Sequence, residues 1–308
     1  MSKLLYEYTN GNYQVEIYRD GTKIRILPDD VFFIPQPEFP ESIDLKITNM
    51  CDKGCLYCHE KSVPKGLHAN REFLYNLIDS FSPGMEIAIG GGNPLDYPYL
   101  FSLLFRCINR DLIPNVTLNQ DHFDSMDDYN GSLFCNNIYG LGISLMSTAE
   151  RFLNITMPKL EALDKLQDIV LHVIPGVNDI DSVKTIIKGW PDAKILILGY
   201  KKKGRGEVYY KKNSDVFDQI EIWKNDLSSL FFNRAIISFD NLAIRQLHVK
   251  RYISCKDWDK FYMGDDGRYT MYIDAVNQEF AISSTNVKRY KIQEPNIKEI
   301  WKQLKQLS

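Results

Sequence analysis

Between Gln14 and Ile26, polar and apolar residues alternate on either side of Asp20-Gly21, a period of two around a turn dipeptide that predicts a β-hairpin. Pro35, Pro37 and Pro40 then interrupt the chain, and no regular element is expected across them. From residue 43 the pattern changes to short apolar runs separated by amphipathic stretches. The runs 43–48, 86–89, 115–119, 137–145, 168–174, 194–198 and 235–239 predict strands, and 70–78, 98–109, 148–166, 180–189 and 214–232 carry the spacing of helices. Within 148–166, Pro158 marks a break or a first turn.

Strands alternating with helices predict parallel βαβ units joined by right-handed crossovers. Six or seven such units fall short of the eight that close a barrel. Near the C-terminus the alternation ends. Residues 267–274 and 278–282, linked by Ala275-Val276-Asn277, predict a second hairpin, and 297–307 an amphipathic helix. The expected organisation is an N-terminal hairpin and linker (1–41), an α/β core (42–250) and a C-terminal extension (251–308).

Composition changes little. The 308 residues are 44% hydrophobic and 25% charged, as in ordinary globular proteins. The net charge of −3 supplies no general basic field, so nucleic-acid binding is not indicated. There is neither a signal-peptide pattern nor a long apolar run, so a soluble, cytoplasmic protein without a membrane partner is expected.

The cysteines change more. Three of the six lie within eight residues, Cys51-Asp52-Lys53-Gly54-Cys55-Leu56-Tyr57-Cys58, directly after the first core strand. Crowded thiolates at a strand end call for a metal, and three ligands leave a coordination position open. Structural zinc prefers four ligands, and His59 could supply the fourth. Cys107, Cys135 and Cys255 are scattered singly, which fits a reducing compartment and a single metal centre.

The spacing C-x3-C-x2-C, with an aromatic residue before the last cysteine, resembles the signature of the radical S-adenosylmethionine (radical SAM) superfamily. Gly91-Gly92-Asn93-Pro94 resembles its Gly-Gly-Glu-Pro motif, with Asn93 in place of the acid. The resemblance covers about residues 43–240 and implies a partial (β/α)6 TIM-like barrel with N-terminal and C-terminal β-hairpin extensions. It further implies a [4Fe-4S] cluster on Cys51, Cys55 and Cys58, with S-adenosyl-L-methionine (SAM) on its open iron. Around SAM it implies Tyr57 near the adenine, the backbone of Gly91, Gly92 and Asn93 at the amino group, and Asn119, Ser144 and Ile174 at successive strand ends. His172, Gly176 and Asp179 occupy further motif places, two of the four positions in that motif being substituted.

The implied activity is reductive cleavage of SAM to a 5′-deoxyadenosyl radical that abstracts hydrogen from a substrate, with a one-electron donor such as flavodoxin or ferredoxin as partner. Peptides, nucleotides and small metabolites are all open as substrates. The loop 199–206 carries four cations and no acid, which predicts an anion-binding edge led by Arg205 and an anionic ligand. Both hairpins could cap the barrel mouth or cover sheet edges. The competing reading is a binding or regulatory protein with a purely structural zinc or iron-sulfur site.

Overall fold

The computed structural model describes residues 2–27, 34–162 and 168–307. The N-terminal part is a three-stranded antiparallel sheet of β1 (Leu4–Asn10), β2 (Tyr13–Tyr18) and β3 (Lys23–Ile26), ordered β1-β2-β3. The expected hairpin is its β2–β3 half. Strand β1 was not expected; it turns back at Gly11, whose φ of 64° lies in the left-handed region.

The core runs β4 (Ser42–Thr48), α1 (Arg71–Asp79), β5 (Glu86–Gly91), α2 (Leu100–Asn109), β6 (Ile113–Asn119), α3 (Gln120–Ser125), α4 (Asp128–Cys135) and β7 (Gly140–Ser144). It continues with α5 (Ala149–Arg151), a π turn over Phe152–Thr156, α6 (Met157–Glu161), β8 (Asp168–Val173), α7 (Ile180–Gly189) and β9 (Lys194–Ile197). Then come α8 (Arg205–Lys212), α9 (Asp215–Asp226), β10 (Ile236–Phe239), α10 (Asn241–Gln246) and α11 (Cys255–Phe261). Pro158 sits in the first turn of α6, where a missing N–H costs nothing, and residues 163–166 of the expected helix lie outside the described residues. Asn70, Asp179 and Asp240 cap α1, α7 and α10 through their side chains.

The strands β4 to β10 pair in chain order, all parallel. The last segment, β11 (Thr270–Asp274), β12 (Glu279–Ala281), β13 (Tyr290–Lys291) and α12 (Ile297–Leu307), contains the expected hairpin, but not as an appendage. Strand β11 pairs in parallel with β4, so the hairpin prolongs the barrel sheet to ten strands, β10-β9-β8-β7-β6-β5-β4-β11-β12-β13. The sheet runs from β10 at one edge to β13 at the other and does not close.

Alternation within the strands makes both core and cavity. On β5, β6 and β7 one face carries Ile87, Ile89, Val116, Leu118, Leu141 and Ile143, all buried in the main hydrophobic core. The other face carries Ala88, Gly90, Asn115, Thr117, Gly140 and Gly142, which line a cavity of about 580 Å³. Closed barrels fill this space with branched aliphatics; here small side chains leave it open.

The two extensions lie at opposite ends. Tyr13, Val15 and Ile17 pack on Ile113 and Tyr269, at the starts of β6 and β11. Lys23 bridges to Glu86, and Arg25 reaches the buried Glu41 at 2.7 Å just before β4. The N-terminal sheet therefore covers the bottom of the barrel and not its mouth. The C-terminal hairpin reaches the mouth, where Ser284 accepts a hydrogen bond from Lys201 at 2.9 Å.

Candidate active site

The cysteine loop leaves β4 at Thr48 and is held by backbone bonds. Cys51 N–H donates to Val63 O at 3.0 Å, Asn49 N–H to Leu67 O at 2.8 Å and Ala69 N–H to Ile47 O at 2.8 Å, so the loop folds back on its own strand. From the next strand, Gly92 N–H donates to Thr48 O at 2.7 Å and Asn93 N–H to Met50 O at 2.6 Å.

That approach explains the glycines. A β-carbon on Gly91 would lie 2.4 Å from Thr48 O, and one on Gly92 2.0 Å from Met50 O. Gly91 also has a φ of 119°. The absent side chains thus make room for the cysteine loop, whereas the sequence reading had them make room for a ligand. Gly90 is the glycine that faces open space, with nothing within 4 Å of an added β-carbon. Asn93 is buried and caps the following turn through Leu95 N–H, so it does not line the cavity.

From the opposite side, Arg205 braces the loop. Its Nε donates to Cys55 O at 2.9 Å, its Nη1 to Ser62 O at 2.8 Å and its backbone N–H to Cys58 O at 3.0 Å. The neighbouring cations are engaged as well: Lys201 on Ser284, Lys202 over the Tyr210 ring at 3.6 Å and Lys203 on Ser284 O at 3.2 Å. Of the four cations expected to form an anion-binding edge, Lys201 lines the cavity and the other three do not. Arg205 holds the cysteine loop, Lys201 and Lys203 hold the C-terminal segment, and Lys202 stacks on α8.

Cys51, Cys55, Cys58 and Tyr57 do line it, with Gly91, Gly92, Asn119, Ser144 and Ile174. Tyr57 Oη donates to Met146 Sδ at 3.0 Å, which fixes the ring beside the end of β7. Asn119 caps α3 through Asp121 N–H, and Ile174 N–H donates to Asn178 Oδ1 at 2.8 Å.

The sulfur spacing bears on the metal. Tetrahedral zinc with bonds of about 2.3 Å holds its sulfurs about 3.8 Å apart. The three cysteines do not form a set with every sulfur within 4.8 Å of the others. The one such set among the described residues is Cys51, Asp52 and His122, where Asp52 Oδ1 and His122 Nε2 share a 2.6 Å hydrogen bond. His59 turns elsewhere, with Nε2 3.3 Å from Glu60 Oε1 and 3.4 Å from Lys201 Nζ. Burial, and next the Lys201 ammonium, push its pKa down to about 4, so it is neutral near pH 7. Three free cysteines on one wall, with at least one sulfur pair more than 4.8 Å apart and without His59, fit a multi-iron cluster better than one ion.

Sequence reasoning missed the polar network behind this wall. Lys46 Nζ lies 2.8 Å from Glu60 Oε2 and 2.9 Å from Asp274 Oδ2, and Tyr272 Oη donates to Glu60 at 3.1 Å. Burial alone would raise the Glu60 carboxyl. The hydrogen bond from His59 and the Lys46 ammonium outweigh it and hold the group well below the usual carboxylate range. One signal was legible, Asp44 and Lys46 at alternate positions of a strand whose other alternate positions are Ile43, Leu45 and Ile47. Asp44, two positions earlier on β4, and His172 on β8 also line the cavity. An added β-carbon on Gly142 would touch His172 Cε1 at 2.6 Å, so the imidazole lies over that glycine. Burial, and next Lys201, lower His172 to about 4.

Known structures share this fold. SuiB of Streptococcus suis, bound to S-adenosylmethionine, matches with a TM-score of 0.62 at 12% identity, over 98% of this chain and 87% of that one. SuiB bound to precursor peptide SuiA matches with a TM-score of 0.61 at 12% identity, over 97% and 87%. The chain has the fold of SuiB, a partial TIM-like barrel whose sheet does not close. No protein-family model matches the sequence, and no curated protein matches it. In this fold the cysteines follow the first barrel strand and the glycine turn ends the second, so both stand at the carboxyl ends of strands, where α/β sheets take their ligands. Among the described residues no helix is long and apolar enough to cross a membrane.

Proposed function

We propose that this protein is a radical SAM enzyme, with a [4Fe-4S] cluster on Cys51, Cys55 and Cys58, SAM beside it, and a substrate deeper in the barrel. The observation that carries this reading is three free cysteines on the wall of a cavity of about 580 Å³, a volume within the range of small-molecule sites. When bound, the cluster would supply the electron that cleaves SAM to the hydrogen-abstracting 5′-deoxyadenosyl group. The chain's own residues do the rest. Arg205, Gly91 and Gly92 hold the cysteine loop against β5, and Lys46, Glu60 and His59 tie it to β11. Tyr57, Asn119, Ser144 and Ile174 would surround SAM, with the carbonyl side of the glycine turn toward its amino group, because two N–H groups there are committed to Thr48 and Met50. The C-terminal segment at Ser284 would keep water from the mouth.

A flavodoxin or ferredoxin is the proposed electron donor. A purely structural zinc site is disfavoured by the sulfur spacing and by His59. SuiB's precursor peptide keeps a peptide among the candidate substrates. The test is anaerobic reconstitution followed by metal analysis. A brown protein with about four irons per chain, lost when all three cysteines become alanine, is expected. A colourless protein holding one zinc would overturn the reading.

A further inference from the structure

Asp44 has no part in the chemistry just described. It stands on β4 opposite Ala88 of β5 and Tyr272 of β11, in the layer of inward positions four residues before Thr48. At about 3.3 Å per residue it lies roughly 13 Å below the end of that strand, toward the barrel floor. Its side chain is exposed to the cavity, which it lines. Among the described residues it makes no hydrogen bond and no ion pair. Ala88 has no polar atom to offer, and Tyr272 gives its hydroxyl to Glu60.

The neighbouring charges are near without touching. Lys201 attracts the carboxylate, but its ammonium bonds Ser284 at 2.9 Å and stands 3.4 Å from His59. Asp266 and Asp240 repel it. Asp240 is spent on the N–H groups of Ala243 and Gly199, and Asp266 on Asn241 Nδ2 at 2.8 Å. The surrounding protein raises the pKa of Asp44, although its side chain is open to the cavity. A ligand that fills the cavity takes the water from this carboxylate, which then costs affinity unless the ligand brings a partner of its own. Lys201, the cation of the loop 199–206 that lines the cavity, is held on Ser284 and does not reach Asp44, so a cation on the ligand is the partner this carboxylate lacks.

We propose that Asp44 receives an amine-bearing, cationic part of the substrate at the floor of the barrel. The substrate class is then a molecule with a primary ammonium or guanidinium group that reaches past SAM into the barrel, such as an amino acid, a basic peptide side chain or an amino sugar. The proposal rests on the radical SAM reading for which bond is attacked, but the binding site stands on geometry alone.

The experiment titrates n-butylammonium, n-butanol and butyrate into the full-length protein by calorimetry, for the parent and for Asp44→Asn. It is run with and without reconstituted iron and SAM, so the amine result stands whether or not the cluster reading does. Parent binding of butylammonium in preference to the alcohol and the acid, weakened roughly tenfold or more in Asp44→Asn, is the expected result. Iron content and SAM affinity should be equal in the two proteins, and the variant's apoprotein should melt no lower than the parent's. Four outcomes would overturn the proposal: no amine binding by the parent, binding within twofold in the variant, equal binding of butyrate, or a loss of SAM affinity that makes Asp44 a SAM contact. A parent that takes up neither iron nor SAM while still showing the amine preference would refute the radical SAM reading and leave this site standing.

Discussion

Gly92→Ala and Gly90→Ala differ by one methyl group two residues apart, and the structure assigns them opposite outcomes. The new β-carbon at position 92 would sit 2.0 Å from Met50 O, 2.7 Å from Met50 C and 3.0 Å from Asn49 C, all backbone atoms. An ordinary contact begins at 3.4 Å, so the cysteine loop would have to retreat by 3.4 − 2.0 = 1.4 Å. A shift of that size breaks the bonds from Gly92 N–H and Asn93 N–H to Thr48 O and Met50 O. Overpacking costs about 1–3 kcal/mol and the two hydrogen bonds about 1 kcal/mol each, so about 3–5 kcal/mol is expected. At position 90 the same methyl meets nothing within 4 Å, and stability should stay within about 0.5 kcal/mol of the parent. The assay is urea unfolding of the apoproteins beside iron per chain after anaerobic reconstitution. Gly92→Ala should lose stability and iron together. Gly90→Ala should keep both and change SAM affinity, because its methyl enters the cavity. A Gly92→Ala protein with parental stability and iron would refute the packing argument, as would a Gly90→Ala protein that loses iron.

Three further outcomes follow from the site. Arg205→Ala removes two charge-assisted bonds to Cys55 O and Ser62 O and should cost about 2–4 kcal/mol and speed iron loss, with Arg205→Lys intermediate; a variant with parental stability and iron retention would contradict the bracing role. Glu60→Gln leaves Lys46 paired with Asp274 alone and should cost about 3 kcal/mol, partly recovered by adding Lys46→Met; equal stability of the single variant and the parent would rule out a structural role for the network. Unfolded histidine takes a proton near pH 6.5 and His172 in the fold only near pH 4, so the unfolded state binds more protons between those values and stability falls as pH drops through that window. His172→Gln should flatten this slope in unfolding measurements on the apoprotein, and unchanged slopes would place His172 in water.

The barrel strands were legible because buried parallel strands write themselves as apolar runs, and helix caps such as Asn70 and Asp179 mark where the crossovers begin. Strand β1 was harder to read. Its register slips between Leu4 and Tyr6, so it lacks the clean alternation of Gln14 to Ile26. The pairing of β11 with β4 joins residues more than 200 positions apart, and no local pattern encodes it. The cysteine spacing is a local feature, and its place on one wall of the cavity was readable from the strand before it. The glycine turn was readable only in part, since the same residues suit a ligand or a neighbouring loop, and only the position of Met50 O decides. Arg205 teaches the same lesson with charge. Four cations in eight residues announce an electrostatic task, but whether they meet a ligand or a carbonyl depends on what the fold sets against them.

The central claim is that Cys51, Cys55 and Cys58 support reductive cleavage of SAM in this cavity. The most direct measurement is 5′-deoxyadenosine formed from SAM by the anaerobically reconstituted, dithionite-reduced protein, followed by chromatography against the triple cysteine-to-alanine variant. The account predicts steady formation by the parent and none above background by the variant. A parent that holds iron and binds SAM yet releases no 5′-deoxyadenosine, or a variant that releases as much as the parent, would contradict it.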